Sequence, residues 1–381
     1  MTNPRPLTVA GPGPAANNPA SAPAYAVVTP VYNAAKTLRP MIEALLSLSP
    51  PPRAIYMVDD GSTDNSIEII KGYSGVTSVA LGVNRGPGHA RNVGAQMAAT
   101  ELLLMIDSDC YIDSEGFSRA YERMTSAPNL AGIMGVPVRE TPPGPFAGMF
   151  KNYWYHLEFK AWGDPPRTLY GSCFLMRREA YLSVGGFDAS FGRIPCEDAE
   201  FYFRLVQAGH VFERRMDFTF VHDKSMTLRQ LIRTSFERSV SIIQNFHGKL
   251  GRPGAPWTLR EKAMWALEIG SGAAAAIGLP LALGAVLSLS LATGALSPPT
   301  RELAELVALA WLVSVVMFFV SIRDKLTFAL RDKGLPFAAG AFMCRMLEMP
   351  GVALGIVWGS LHRRPIPPDV QAYHQRSGIS E

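Results

Sequence analysis

The chain has 381 residues, 48% of them hydrophobic, and a formal net charge of +4. This is enough apolar sequence for a full-sized core and an appendage. The Lys and Arg residues are scattered, without the long run that tracks a phosphate backbone, so no nucleic-acid partner is expected. Four cysteines, Cys110, Cys173, Cys196 and Cys344, form neither a CxxC pair nor a zinc spacing and read as reduced, buried thiols.

Residues 1–24 are rich in Pro, Ala, Asn and Gly and contain no apolar run, which reads as a disordered leader without a signal peptide. From Tyr25 the pattern changes. Short aliphatic runs over 25–29, 54–58, 77–81 and 102–106 read as strands. Segments 38–48, 65–73 and 88–99, between them, carry helical spacing or open with glycine and small helix formers. Alternation of this kind predicts an α/β fold: a mostly parallel central sheet wrapped by helices, of the nucleotide-binding type. After Asp109 the regularity weakens. The Pro-rich 137–145 segment and the aromatic-rich 146–162 segment read as a less regular, substrate-facing region, before strand and helix signals return at 171–177 and 198–208.

Beyond about Trp265 the composition shifts again. Segments 269–291 and 306–322 carry no charged residue and predict two membrane crossings. A third apolar stretch, 337–358, contains Arg345 and Glu348. Each would cost about 2.5–3.5 kcal/mol at the centre of a lone spanning helix, so this stretch reads as interfacial or re-entrant. The expected organisation is a catalytic domain over 25–264, a membrane region over 265–364 and a tail over 365–381. Arg323, Lys325, Arg331 and Lys333 follow the second crossing, whereas the connection near Arg301 carries little positive charge. The bias predicts a multi-pass inner (plasma) membrane protein with its catalytic domain in the cytoplasm.

Three motifs carry candidate chemistry. Asp107-Ser108-Asp109 directly follows an apolar strand, so its carboxylates project into the crevice where open α/β sheets bind ligands. Two carboxylates with one spacer suit a hard cation that bridges phosphate oxygens, here Mg²⁺ or Mn²⁺. Val58-Asp59-Asp60-Gly61-Ser62-Thr63-Asp64 also sits between a strand and a helix, with acceptors suited to a base and a ribose, although Asp64 equally suits a helix cap. Asn84-Arg85-Gly86-Pro87-Gly88-His89-Ala90-Arg91-Asn92 is a glycine-punctuated loop entering a helix, where backbone amides and Arg91 can approach a diphosphate.

These segments, together with Thr29-Pro30-Val31-Tyr32-Asn33, Gly185-Gly186-Phe187-Asp188 and Glu197-Asp198, resemble the family 2 glycosyltransferases in content and order over about 25–222. The resemblance implies a GT-A fold and a nucleotide-sugar donor. It makes Pro30, Tyr32, Asn33, Asp59, Asp60, Asn84, Gly86, Arg91, Asn92, Asp107 and Ser108 donor-binding candidates and Asp107 and Asp109 metal ligands. His222 is a further metal or phosphate candidate, and a lone histidine equally suits a core position. Asp198 becomes the base that takes a proton from the acceptor hydroxyl, with Glu197 orienting it; both also suit a helix N-terminus. Gly171-Ser172-Cys173 and Gly186-Phe187-Asp188 fall where the family receives the acceptor.

Two departures stand out. Cys196 occupies a position where glycine often precedes Glu-Asp, and no QxxRW-type signature of processive synthases is present. A single transfer, with inversion, to a membrane-associated acceptor such as a polyprenyl phosphate or a lipid-linked or cell-envelope glycan is expected. Nucleotidyl transfer and a non-catalytic membrane module are the alternatives.

Overall fold

The computed structural model describes residues 23–161, 165–192, 195–246, 259–291 and 297–362. Most of the expected leader and the whole of the expected 365–381 tail lie outside the described residues.

Strands β1 (Tyr25–Val31), β2 (Ala54–Asp59), β3 (Thr77–Ala80) and β4 (Leu102–Ile106) pair in parallel as β3-β2-β1-β4. Every residue of β1 and β4 is buried, as strands covered on both faces require. Helices α1 (Leu38–Leu46), α2 (Ser66–Lys71) and α3 (Pro87–Met97) make the return connections. The sheet then continues through β7 (Cys173–Arg177), β6 (Leu130–Pro137), β8 (Val211–His222) and β5 (Cys110–Ile112). Pairings β4·β7, β6·β7 and β5·β8 are antiparallel, whereas β6·β8 is parallel. The reversal at β4/β7 opens a crevice beyond the carboxyl ends of β1, β2 and β4.

The region after Asp109 is more regular than its sequence suggests. Helix α4 (Ser114–Ser126) is capped by the Asp113 carboxylate, which accepts from the Gly116 amide at 2.8 Å. The aromatic stretch is helix α5 (Phe146–Ala161), with Phe150, Tyr153 and Trp154 fully buried. It is covered on several sides, so its apolar residues follow no single stripe and the helical period is hidden. Helices α6 (Arg178–Ser183) and α7 (Glu197–Gln207) precede β8, and α8 (Leu228–Phe246) follows it.

Three further helices complete the described chain: α9 (Leu259–Leu291), α10 (Pro298–Lys333) and α11 (Leu335–Leu361). Each is long and apolar enough to cross a membrane. They dock on the α/β domain through paired charges. Lys151 of α5 contacts Glu348 at 2.6 Å, Glu348 contacts Arg345 at 2.8 Å, and Arg345 contacts Glu268 of α9 at 2.6 Å. Ser235 of α8 also donates to Glu348. The two charges that make α11 an unattractive lone span are therefore paired, and the third apolar stretch is one continuous helix. On α10, Lys325 reaches Glu158 at 3.2 Å and Asp332 accepts from Arg139 at 2.7 Å. Helix α8 runs alongside the second half of α11, where Gly351 and Gly355 leave no room for side chains. A Cβ there would stand 2.8 Å from the Ile232 carbonyl oxygen and 2.5 Å from that of Phe236.

Candidate active site

A cleft of about 780 Å³ opens at the carboxyl ends of β1, β2 and β4. Pro30, Tyr32, Asn33, Asp60, Asn84, Arg91, Asp107, Ser108, Asp109 and Glu197 line it, along with Lys224, Gln230 and Thr234. Asp59, Gly86, Asn92, Asp198 and His222 stand behind that lining.

Arg91 is the hub. Its guanidinium is buried, donating from Nη2 to Asp107 at 2.6 Å and from Nη1 to Glu197 at 3.0 Å. It also donates to the Gly171 carbonyl at 3.3 Å and lies over the Phe187 ring. Burial alone would lower the Arg91 pKa, but the two carboxylates raise it, so the cation is fixed. Sequence reasoning gave Arg91 to a diphosphate; in the fold it lines the cleft and also bridges two acids contributed by separate elements.

Other expected donor contacts are likewise committed within the protein. Asp60 accepts from the Arg85 and Gly86 amides at 2.9 and 2.7 Å, holding the glycine loop against β2. Gly86 takes φ +94° at the start of α3, a conformation suited to glycine. Asn92 clasps Phe187, donating to its carbonyl and accepting from its amide, both at 2.8 Å. Asn33, at φ +50°, accepts from the Thr63 amide at 2.8 Å and so joins the loops after β1 and β2. Asp59 differs: Oδ2 accepts from Ser62, while the buried Oδ1 has no partner. An orphaned buried carboxylate oxygen is costly unless a ligand supplies a donor.

At the other wall, Asp109 Oδ2 lies 3.3 Å from His222 Nε2, and Tyr170 Oη lies 3.1 Å from His222 Nδ1. Burial would raise the Asp109 pKa, but His222 and then Lys224 bring it down to about 2. The Cys110 thiol adjoins this pair at 3.7 Å from Asp109 Oδ1, its pKa pushed up by burial and then by Asp109 and Asp107. Thr37 donates to the Ser108 carbonyl at 2.8 Å and holds the acidic loop in place. The Asp109 carboxylate at the cleft, with the buried His222 imidazole against it and the partly exposed Asp107 beside it, fits a divalent ion.

Asp198 Oδ2 accepts from the Gly171 amide at 2.9 Å, and Oδ1 from the Ala199 amide at 2.8 Å. A Cβ on Gly171 would stand 3.0 Å from that of Asp198, so glycine permits the contact. Glu197 has a raised pKa, through burial first and Asp198 second, with Arg91 opposing. Cys196, immediately before them, adopts φ +82°, the left-handed conformation for which glycine is suited. Sequence reasoning missed Lys224, Tyr170 and the α8 residues Gln230 and Thr234. Only the proximity of Lys224 to His222 offered a signal.

The sheet order, the acidic strand end and the cleft define a GT-A α/β domain. Residues 26–185 match the family described as Glycosyl transferase family 2. The chain is 33% identical over 109 residues to a poly-beta-1,6-N-acetyl-D-glucosamine synthase of Staphylococcus epidermidis, covering 28% of this chain and 26% of the relative. It is 34% identical over 130 residues to a poly(ribitol-phosphate) beta-glucosyltransferase of Bacillus spizizenii, covering 32% of this chain and 20% of the relative. The matches thus span about a quarter or less of those relatives. A mannosyltransferase from Pyrobaculum calidifontis, solved with GDP-Man and Mn²⁺, shares the fold at TM-score 0.53 and 18% identity, over 94% of this chain and 90% of that one.

Proposed function

We propose that the chain transfers a sugar, with inversion, from a nucleoside-diphosphate sugar to a membrane-associated acceptor, in a reaction requiring Mg²⁺ or Mn²⁺. The observation that carries this reading is the Arg91 bridge, which joins the strand-end Asp107 to Glu197 at 2.6 and 3.0 Å and makes one site of two acidic groups. Relatives named as a poly-beta-1,6-N-acetyl-D-glucosamine synthase and a poly(ribitol-phosphate) beta-glucosyltransferase support a glycan or polyol-phosphate acceptor class, and the Mn²⁺ and GDP-Man of the structural neighbour support the metal and donor class.

In this reading Asp59 Oδ1 receives a base N–H, and Pro30 and Tyr32 border the nucleoside. Asp107, Asp109 and His222 would hold the divalent ion, which when bound neutralises charge on the departing diphosphate. Asp198, held by two backbone amides, takes the acceptor proton; Glu197, pinned by Arg91, positions it. A second assignment rests on a specific observation: Glu197, not Asp198, lines the cleft. Detergent-solubilised protein incubated with UDP-, GDP- and dTDP-sugars, Mn²⁺ and membrane lipid extract separates these. Release from one donor, lost in Asp198→Asn with donor affinity retained, supports Asp198 as base. The same loss in Glu197→Gln alone transfers the role. No release from any donor sinks the enzyme reading.

The membrane arrangement follows the charge bias. Helices α9 and α10 cross, and α11, flanked by α5 and α8, lies at the interface. The α10 end bearing Lys325, Arg331 and Lys333 docks on the catalytic domain, supporting a cytoplasmic location for both.

A further inference from the structure

We propose that Asp109, Cys110 and His222 give this centre a second coordination mode, which takes a thiophilic divalent ion of the zinc class and blocks the donor diphosphate. The blocking half rests on the donor reading above; the binding half does not.

One ligand atom from each residue lies within 4.8 Å of the other two. Asp109 Oδ2 lies 3.3 Å from His222 Nε2 and Asp109 Oδ1 lies 3.7 Å from Cys110 Sγ, so a small rotation of the carboxylate brings one oxygen toward the roughly 3.3–3.7 Å expected between ligand atoms around tetrahedral zinc. The backbone fixes the set: Cys110 stands opposite His222 in the antiparallel β5·β8 pair, and the Asp109 carbonyl accepts from Asp223 at 2.8 Å. Tyr170 at Nδ1 orients the imidazole so that Nε2 faces the cluster. No zinc spacing is visible in the sequence because two adjacent ligands pair with a third on a distant strand.

Mg²⁺ and Mn²⁺ favour oxygen ligands and leave a thiol protonated, whereas zinc recruits sulfur. The Sγ–H bond breaks, an Sγ–Zn bond forms, and the proton passes to solvent. Three protein ligands leave a tetrahedral ion one open position, and a diphosphate chelates through two oxygens. Zinc in this mode therefore competes with the ion that serves the donor.

The test uses the full chain in detergent without nucleotide sugar. Zinc-edge X-ray absorption of the wild type should show one sulfur at about 2.3 Å. A shell of nitrogen and oxygen alone overturns the proposal. Cobalt(II) should give a near-ultraviolet sulfur charge-transfer band that disappears in Cys110→Ser and persists in Cys173→Ser; the reverse pattern overturns it. Zinc affinity should fall at least about tenfold in Cys110→Ser, and an unchanged affinity overturns it. In donor turnover, zinc inhibition should be relieved by excess Mn²⁺ and weakened in Cys110→Ser; inhibition indifferent to both removes the blocking half. A wild type that binds zinc through sulfur yet cleaves no donor sinks the transferase reading and leaves the zinc mode standing.

Discussion

Arg91 shows how one side chain can join two acids contributed by distant elements into a single site. Its two carboxylate partners come from the end of β4 and the start of α7; Glu197 shares the packing that buries the guanidinium, while Asp107 stays partly exposed. Removing the cation leaves uncompensated acids. Arg91→Met is expected to cost about 3–5 kcal/mol, read as a lower thermal midpoint, and to abolish turnover. A variant that melts like wild type would show the pair to be dispensable. At this scale the sequence displayed residue types and strand ends, so Asp107 and Asp109 were legible as cleft-facing acids. It did not display which distant groups claim each hydrogen bond. The backbone contacts that hold Asp60 and Asn92 were therefore not legible, and Tyr170 and Lys224 went unnoticed.

The elements around the cleft are held from behind. Helix α8 presents Gln230 and Thr234 to the cleft, while its Ser241 donates to the Pro195 carbonyl at 2.6 Å, just before Glu197 and Asp198. On its other side it rests on the glycines of α11. Gly355→Leu drives a side chain into the Phe236 carbonyl and Ser239, and overpacking of this kind costs about 1–3 kcal/mol. Turnover should fall through displacement of α8, and an unaltered rate would argue against that coupling. The α5·α10 contact carries a pH dependence. Burial would raise the Glu158 pKa, but Lys325, followed by Arg345 and Lys151, holds it below the ordinary value of 4.5. Its stabilisation is present above the usual carboxylate range and is lost as pH falls through the lowered folded value. Glu158→Gln should lose less stability than wild type on acidification in that window; parallel acid curves would remove the contact from the account. The first four strands were legible because both-face burial leaves unbroken apolar runs. Helix α5 was not, because enclosure on several sides erases the stripe by which a helix announces itself.

At the scale of the whole molecule, the α/β domain and the apolar helices are joined through a chain of paired charges running from Lys151 through Glu348 and Arg345 to Glu268. The sequence revealed the apolar runs and the two charges within the third, and those charges argued against a lone span. Their partners lie on α5, α8 and α9, far away in the chain, and only the folded arrangement supplies them.

The same feature bears on modularity. Many catalytic domains survive excision from their anchors, but here Phe150 and Trp154 of α5 take much of their cover from α9, α10 and α11, and the Lys151 ammonium takes its counter-charge from α11. A truncation ending at residue 246 would expose that aromatic face and strand the ammonium. Such a fragment should be recovered aggregated, whereas a soluble, donor-binding fragment would show that the domain is self-sufficient. Grafting this catalytic unit onto a foreign anchor would accordingly require carrying the α5-facing surfaces of all three helices with it.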